Sequence, residues 1–276
     1  MLKFVDSIRA ARRFHDYRPQ PVTCLGVNRW IDQFDKCDRK HVRALLESVI
    51  YLSERDVRQI LFHQNHALMT RLADVGFPPQ KLIYIQLDNA GSSSPVMLNM
   101  LRNVAGLDRL GCHLLDSRDS LGINKTTNEV GEGALIYVDD FVGTGDQFCD
   151  AREIALQSVV GTFSEFLLVP SICEEGLYKM GEIGIQPFAG HLHSKAERPL
   201  HDNSAILDRD AKERLRHVCE RIRPGRGLGY GRLATMVVLY HNAPDNVPAL
   251  LRGNLNQKPF AGIFPRFDDL PLKTAL

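Results

Sequence analysis

Ala134-Leu-Ile-Tyr-Val-Asp-Asp-Phe-Val-Gly-Thr-Gly145 decides the reading of this chain. Five apolar residues, Ala134 to Val138, have the composition of a buried strand. Two acids follow, Asp139 and Asp140, and then a tight Gly143-Thr144-Gly145 loop. A helix is expected from about Asp146. The backbone N–H groups of such a loop, with the helix N-terminus behind them, form an anion cradle. The Thr144 hydroxyl adds a donor. Gly143 and Gly145 are expected to take positive φ and to let the backbone approach a ligand. No lysine stands in the loop, as it would in a P-loop nucleotide site. Two carboxylates beside a phosphate cradle instead suit a ligand that carries hydroxyls, such as a ribose 5-phosphate. The plainer reading is a buried strand followed by an Asp-rich turn and a helix cap.

The flanks extend the pattern. Lys81 to Leu87 (Lys-Leu-Ile-Tyr-Ile-Gln-Leu) reads as a strand. The polar loop Asp88-Asn-Ala-Gly-Ser-Ser-Ser94 follows, and Pro95 opens a helix to about Asn103. Cys112 to Leu115 reads as a short strand. Asp116 to Glu132 is polar without a clear period and is expected to be a long loop that could serve as a lid. A helix is expected over Phe148–Val160, with strands at Glu165–Val169 and Ile183–Phe188. Strand-helix-strand repetition implies an α/β fold with a parallel sheet flanked by helices.

The chain has 276 residues, 44% of them hydrophobic, and a net charge of +1. That is the composition of a soluble globular chain, with no global field demanding nucleic acid or a membrane surface. No apolar run is long enough to span a bilayer, and Met1 to Asp6 is not a secretory signal. Six scattered cysteines without a Cys-x-x-Cys pair argue against a zinc ribbon or a disulfide framework and fit a cytoplasmic protein. The close pairs His63/His66 and His191/His193 lack a zincin context, so no metal ligand is assigned.

Residues 1–79 read as a helical extension. Trp30, Ile31 and Phe34 have helical spacing, and an apolar stripe of Val42, Leu45, Leu46, Val49 and Ile50 predicts a helix over Asp38–Leu52. Ser53 to Asp56 reads as a capping box for the next helix. Residues 80–276 are expected to form the α/β domain. Near its end, Arg209–Ile222 is a charged helix, read as a solvated face or a basic face for nucleic acid. Leu228-Gly-Tyr-Gly231 precedes a strand over Leu233–Tyr240 and the turn His241-Asn-Ala-Pro-Asp-Asn246, where Asn242, Asp245 and Asn246 order the loop or meet a ligand.

The strand, acid pair and Thr-Gly of the central stretch resemble the signature of type I phosphoribosyltransferases. The resemblance implies a type I fold with an N-terminal helical extension. It implies that Asp139 and Asp140 act in catalysis by contacting the 2- and 3-hydroxyls of phosphoribosyl pyrophosphate (PRPP). Gly143, Thr144, Gly145, Asp146 and Gln147 would hold the 5-phosphate. The loop with Asp88, Asn89, Gly91, Ser92 and Ser93 would hold pyrophosphate, and the 116–132 segment would be the catalytic hood carrying Arg118 and Lys125. Mg²⁺ is the implied cofactor. The family usually has small or hydroxylated residues after Thr-Gly, whereas Asp146 and Gln147 stand here. Asp146 is therefore expected to point outward and cap the helix.

Taken with Trp30-x-x-x-Phe34, the 241–246 turn and Phe264-Pro-Arg266, the chain resembles the PRTase-CE group of bacterial conflict systems. Relatives often carry Asn-Thr-Pro-Asn-Asn where Asn242-Ala-Pro-Asp-Asn246 stands. This group is associated with antiphage defence, including retrons with a helix-turn-helix protein, a reverse transcriptase and multicopy DNA/RNA as partners. The implied role is a phosphoribosyltransferase-like effector acting on an unknown acceptor. A catalytically silent PRPP or nucleotide sensor and a nucleoprotein-complex subunit are the alternatives. A homo-oligomer is compatible with each.

Overall fold

A computed structural model describes residues 2–87, 94–254, 260–267 and 270. In chain order the first elements are α1 (Leu2–Arg13), α2 (Cys24–Asp32), α3 (Arg39–Glu47), β1 (Ile50–Leu52), α4 (Glu54–Asp74), β2 (Leu82–Gln86), α5 (Ser94–Ala105) and α6 (Leu107–Leu110). Next come β3 (His113–Asp116), α7 (Ser120–Val130), β4 (Glu132–Val138), β5 (Phe141–Val142), α8 (Asp146–Leu156), β6 (Thr162–Cys173), α9 (Glu174–Glu182) and β7 (Gln186–His193). Then follow α10 (Arg209–Ile222), β8 (Val237–Leu239), α11 (Ala249–Arg252), β9 (Gly253–Asn254) and β10 (Phe260–Ala261). Among the described residues no helix is long and apolar enough to cross a membrane.

The chain divides into two compact units: residues 1–55 with 193–276, and residues 56–192. The sequence expectation had set a helical extension apart at residue 79.

The 56–192 unit holds the main sheet, in the order β3-β2-β4-β6-β5, with β7 also paired to β6. All four pairs along that order are parallel. Apolar residues run almost unbroken through β2, β4 and the second half of β6, the pattern of strands covered on both faces. One face carries Ile83, Ile85, Leu135, Tyr137, Leu167 and Val169, with Phe148 and Ala151 of α8 and Met180 of α9 packed in the same cluster. On the other face the buried Tyr84 hydroxyl donates to Asn65 Oδ1 of α4 at 2.7 Å. The register places Gln86 beside both Asp116 and Val138, so β2, β3 and β4 end level.

Two readings are corrected here. Residues 120–130 form helix α7 rather than a long loop. Asp119 caps it by accepting from Gly122 N at 2.9 Å, and Ile123 and Thr127 are buried. Gly122, Asn124, Thr126 and Thr127 are weak helix formers, so packing and the cap prevail over propensity. The helix expected through Leu52 ends at Glu47, and Ile50–Leu52 become a strand.

The second unit takes in both flanking segments of the chain. β1 pairs in parallel with β8, Tyr51 opposite Val238. Its core joins Phe14, Tyr17, Trp30, Phe34, Val42 and Leu45 to Leu215, Val238, Leu250, Leu251 and Phe264. Phe264 meets Phe14 and Tyr17 edge-on, with ring centroids 4.9 and 5.3 Å apart. The Trp30 indole donates to Leu250 O at 2.8 Å.

Candidate functional site

Strand β4 runs through the middle of the sheet and delivers the acid pair to its carboxyl edge, where α/β sheets bind ligands. The ladder continues one residue past the strand, because Asp139 N donates to Leu168 O at 3.2 Å. The Asp139 carboxylate then accepts from Asp140 N at 2.9 Å. Both acids are half-buried. Withdrawal from water, and secondly the neighbouring Asp140 charge, hold the Asp139 carboxyl well above its ordinary value of 3.8.

Below the pair, Tyr137, Arg152 and Glu165 lock β4, α8 and β6 together. The Tyr137 hydroxyl donates to Glu165 Oε2 at 2.7 Å, and Arg152 grips the same carboxylate through Nε and a terminal nitrogen at 2.7 and 2.6 Å. A forked, charge-assisted pair of this kind is directional as well as strong. The bond to Glu165 raises the Arg152 pKa, and burial raises that of Tyr137. This lock fixes the start of α8 relative to the acids.

The loop between them is built by close packing. Gly145 has φ 90°, which a side chain rarely tolerates, and it precedes the first helical residue. Gly143 does not have positive φ, contrary to expectation. Its carbonyl instead lies against Gly176 of α9, where an added Cβ would come within 2.8 Å. The close approach at Gly143 is therefore made by a helix.

Asp146 is exposed, as expected, yet it does not cap α8. Gly145 occupies the cap position without a side-chain bond. The Asp146 carboxylate accepts from the Thr144 hydroxyl at 2.8 Å, and Thr144 Oγ1 lies 3.4 Å from Asp146 N. The short Thr144 side chain reaches its near neighbour, so its proton points to Asp146 in this structure. Gln147 follows, exposed, in the first turn of α8.

Asp88, Asn89, Gly91, Ser92 and Ser93 lie outside the described residues. The residues bounding them are fixed. The buried Ser94 hydroxyl accepts from Leu87 N at 2.7 Å and donates to Val138 O at 2.5 Å. One hydroxyl thus ties the end of β2 to the residue preceding Asp139. Arg118 turns back on Asp116, its N–H donating to Oδ1 at 2.9 Å, and Lys125 is exposed on α7.

One cation beside the loop was invisible to motif reading. Lys179 of α9 lays its stem against Gly145, whose added Cβ would come within 3.1 Å of Lys179 Cγ. Its charge lowers the Cys149 pKa, opposing the larger upward effect of burial, so the ammonium is felt at the first turn of α8. Lys179 has no ion-pair partner among the described residues. It stands 34 positions beyond the loop and no local spacing announces it. Also among the described residues, no cluster of three metal-binding side chains includes Asp139 or Asp140.

A family model described as PRTase-CE matches residues 27–266. The chain belongs to the PRTase-CE family. The match spans the acid pair and its loop, and it ends at Arg266. No curated protein matches the chain. Among solved structures, this PRTase-CE protein is similar to orotate phosphoribosyltransferase from Aeropyrum pernix, at 14% identity, covering 49% of this chain and 68% of that one with TM-score 0.33. It is similar to HGPRT-ase from Leishmania tarentolae in complex with GMP, at 10% identity over 44% and 71% of the two chains, TM-score 0.31. It is also similar to a hypothetical protein from Neisseria gonorrhoeae with bound ppGpp, at 15% identity over 62% and 97%, TM-score 0.32.

Proposed function

We propose that this PRTase-CE protein binds PRPP or a related ribose phosphate at the carboxyl edge of its sheet and transfers the phosphoribosyl group to an acceptor. We further propose that it does so as an effector of a bacterial antiphage system, including retrons with their helix-turn-helix protein, reverse transcriptase and multicopy DNA/RNA. The antiphage role rests on the family alone. The chemistry rests chiefly on the acid pair at the end of a central parallel strand, followed at once by a glycine loop that opens a helix.

In this reading Asp139 and Asp140 accept the ribose hydroxyls and position the sugar, while residues 143–147 hold the 5-phosphate. Breaking the bond from C1 to pyrophosphate places positive charge on the ribose ring, which the nearby carboxylates stabilise. Lys179 supplies a positive charge beside the phosphate loop. The Thr144 hydroxyl turns from Asp146 to the phosphate on binding. The carboxylates of Asp139 and Asp140 are hard oxygen donors of the kind Mg²⁺ accepts alongside substrate oxygens. They would share in holding that ion, whose part is to neutralise the departing pyrophosphate.

The test is pyrophosphate release from PRPP with Mg²⁺, alone and with nucleotide and RNA pools, for the wild type and Asp139→Asn/Asp140→Asn. The expected loss in the double variant is about 100-fold or more, the scale of removing groups that stabilise a charged transition state. PRPP binding without release would move the protein to the sensing or complex-subunit alternatives. Absence of PRPP binding in the wild type would overturn the reading.

A further inference from the structure

A second basic site lies in the unit formed by residues 1–55 and 193–276. Arg223, Arg226 and Arg252 line a cavity of ≈ 70 Å³ together with Tyr230, Asp245 and Val247. Arg252, buried, and Arg266 both donate to Asp245 Oδ1 at 2.6 Å. Arg223, half-buried, donates through Nε to Gly253 O at 2.8 Å. Arg226 is exposed and has no ion-pair partner among the described residues. Four guanidinium groups thus gather about one carboxylate that already serves two of them. The nearby Glu220 is engaged elsewhere, accepting from Gly225 N and Arg232.

The cavity is a built one. Its wall is the 227–231 glycine segment wrapped on the 244–249 turn. Tyr230 N donates to Asp245 O at 2.9 Å, Ala249 N to Gly227 O at 2.8 Å, and Asn246 Nδ2 to Tyr230 O at 3.0 Å. Gly229, at φ 77°, packs so closely that an added Cβ would sit 2.4 Å from the Asn246 carbonyl. These bonds account for both motifs that the central site leaves unused.

We infer that this cavity binds a single phosphate group of a nucleotide or nucleic-acid strand, held by Arg223 and Arg226 with Tyr230 at the rim for the adjoining base. Guanidinium forks match phosphate oxygens, and a positive excess that the protein does not neutralise favours a dianion or diester over a neutral ligand. The volume is about that of two water molecules, at roughly 30 Å³ each, which suits one tetrahedral anion and not a whole nucleotide. The base then lies outside, where Tyr230 is 46% exposed and offers a stacking face.

The test compares wild type, Arg226→Ala and Tyr230→Ala, with Arg209→Ala as a remote control on α10. The probes are inorganic phosphate, AMP, adenosine and a fluorescein-labelled 12-nucleotide single-stranded DNA. Because the 143–147 loop also presents amides, the quantity read is the difference between wild type and variant. Arg226→Ala should weaken phosphate, AMP and DNA binding about tenfold and lower the salt slope for DNA by about one. Tyr230→Ala should weaken AMP and DNA but spare phosphate, and adenosine should not bind. Tight AMP with weak DNA would identify a nucleotide as the source, and the reverse a strand. Equal affinities for all probes in wild type and Arg226→Ala, with both variants folded, would overturn the proposal. So would a loss on Arg209→Ala as large as that on Arg226→Ala.

Discussion

The two units of this protein are built on opposite plans. In the 56–192 unit, strands and helices alternate and each neighbour in the sheet lies within one or two elements along the chain. In the other unit, β1 finds its partner in β8, and Trp30 finds its acceptor at Leu250. Local order dominates the first plan, and contacts across most of the chain dominate the second. The lesson is that the same hydrophobic effect leaves a readable period where partners are near and none where they are far.

The sharpest way to break this comparison is to empty the core that the distant segments share. Phe264→Ala removes a fully buried ring wedged against Phe14 and Tyr17. It should cost about 3–5 kcal/mol. Trp30, the sole tryptophan, lies in the same cluster and reports the unfolding by its fluorescence. A cost below about 1 kcal/mol would mean that the two segments do not share one core.

A smaller effect is expected in the other unit. Gly145→Ala places a Cβ on a residue with φ 90°, 3.1 Å from Lys179 Cγ. Left-handed backbone costs a side chain about 1–2 kcal/mol, so thermal unfolding should shift by that amount. PRPP affinity should fall several-fold by calorimetry. Unchanged PRPP affinity in a folded variant would separate the loop from the proposed phosphate site.

The smallest effect is a slope with pH. Asp139 binds its proton more tightly in the folded protein than in the unfolded chain. The folded state therefore carries more protons, and stability falls as pH rises from the ordinary carboxyl value of 3.8 upward. Urea midpoints across that window should drop for the wild type, and Asp139→Asn should flatten the curve. An equal slope in the variant would show that burial does not disfavour the Asp139 charge.

Legibility in the sequence follows the same divide. β2, β4 and α10 were readable because each carries its own period or composition, and Arg209–Ile222 ends where its apolar stripe ends. Ile50–Leu52 were misread as helix because a three-residue strand exists only through its pairing with residues 237–239. Helix α7 escaped because its few apolar contacts, Ile123 and Thr127, sit among weak helix formers. At the candidate site the acids and the glycine loop could be read. Lys179 and the Gly143–Gly176 contact could not, since α9 meets the loop only after the chain has passed through β6.

The division of the chain also sets an order in time. Ribosomes extend a polypeptide at roughly 5–20 residues per second, and domains fold as units once their residues have emerged. The 56–192 unit is continuous, so every strand of its sheet is available before the 193–264 segment has been translated. The helices of residues 2–47 must wait for β8, α11 and Phe264, on the order of several seconds at that rate. During that interval Trp30, Phe34 and Leu45 are exposed to chaperones and proteases, while the acid pair already has its sheet.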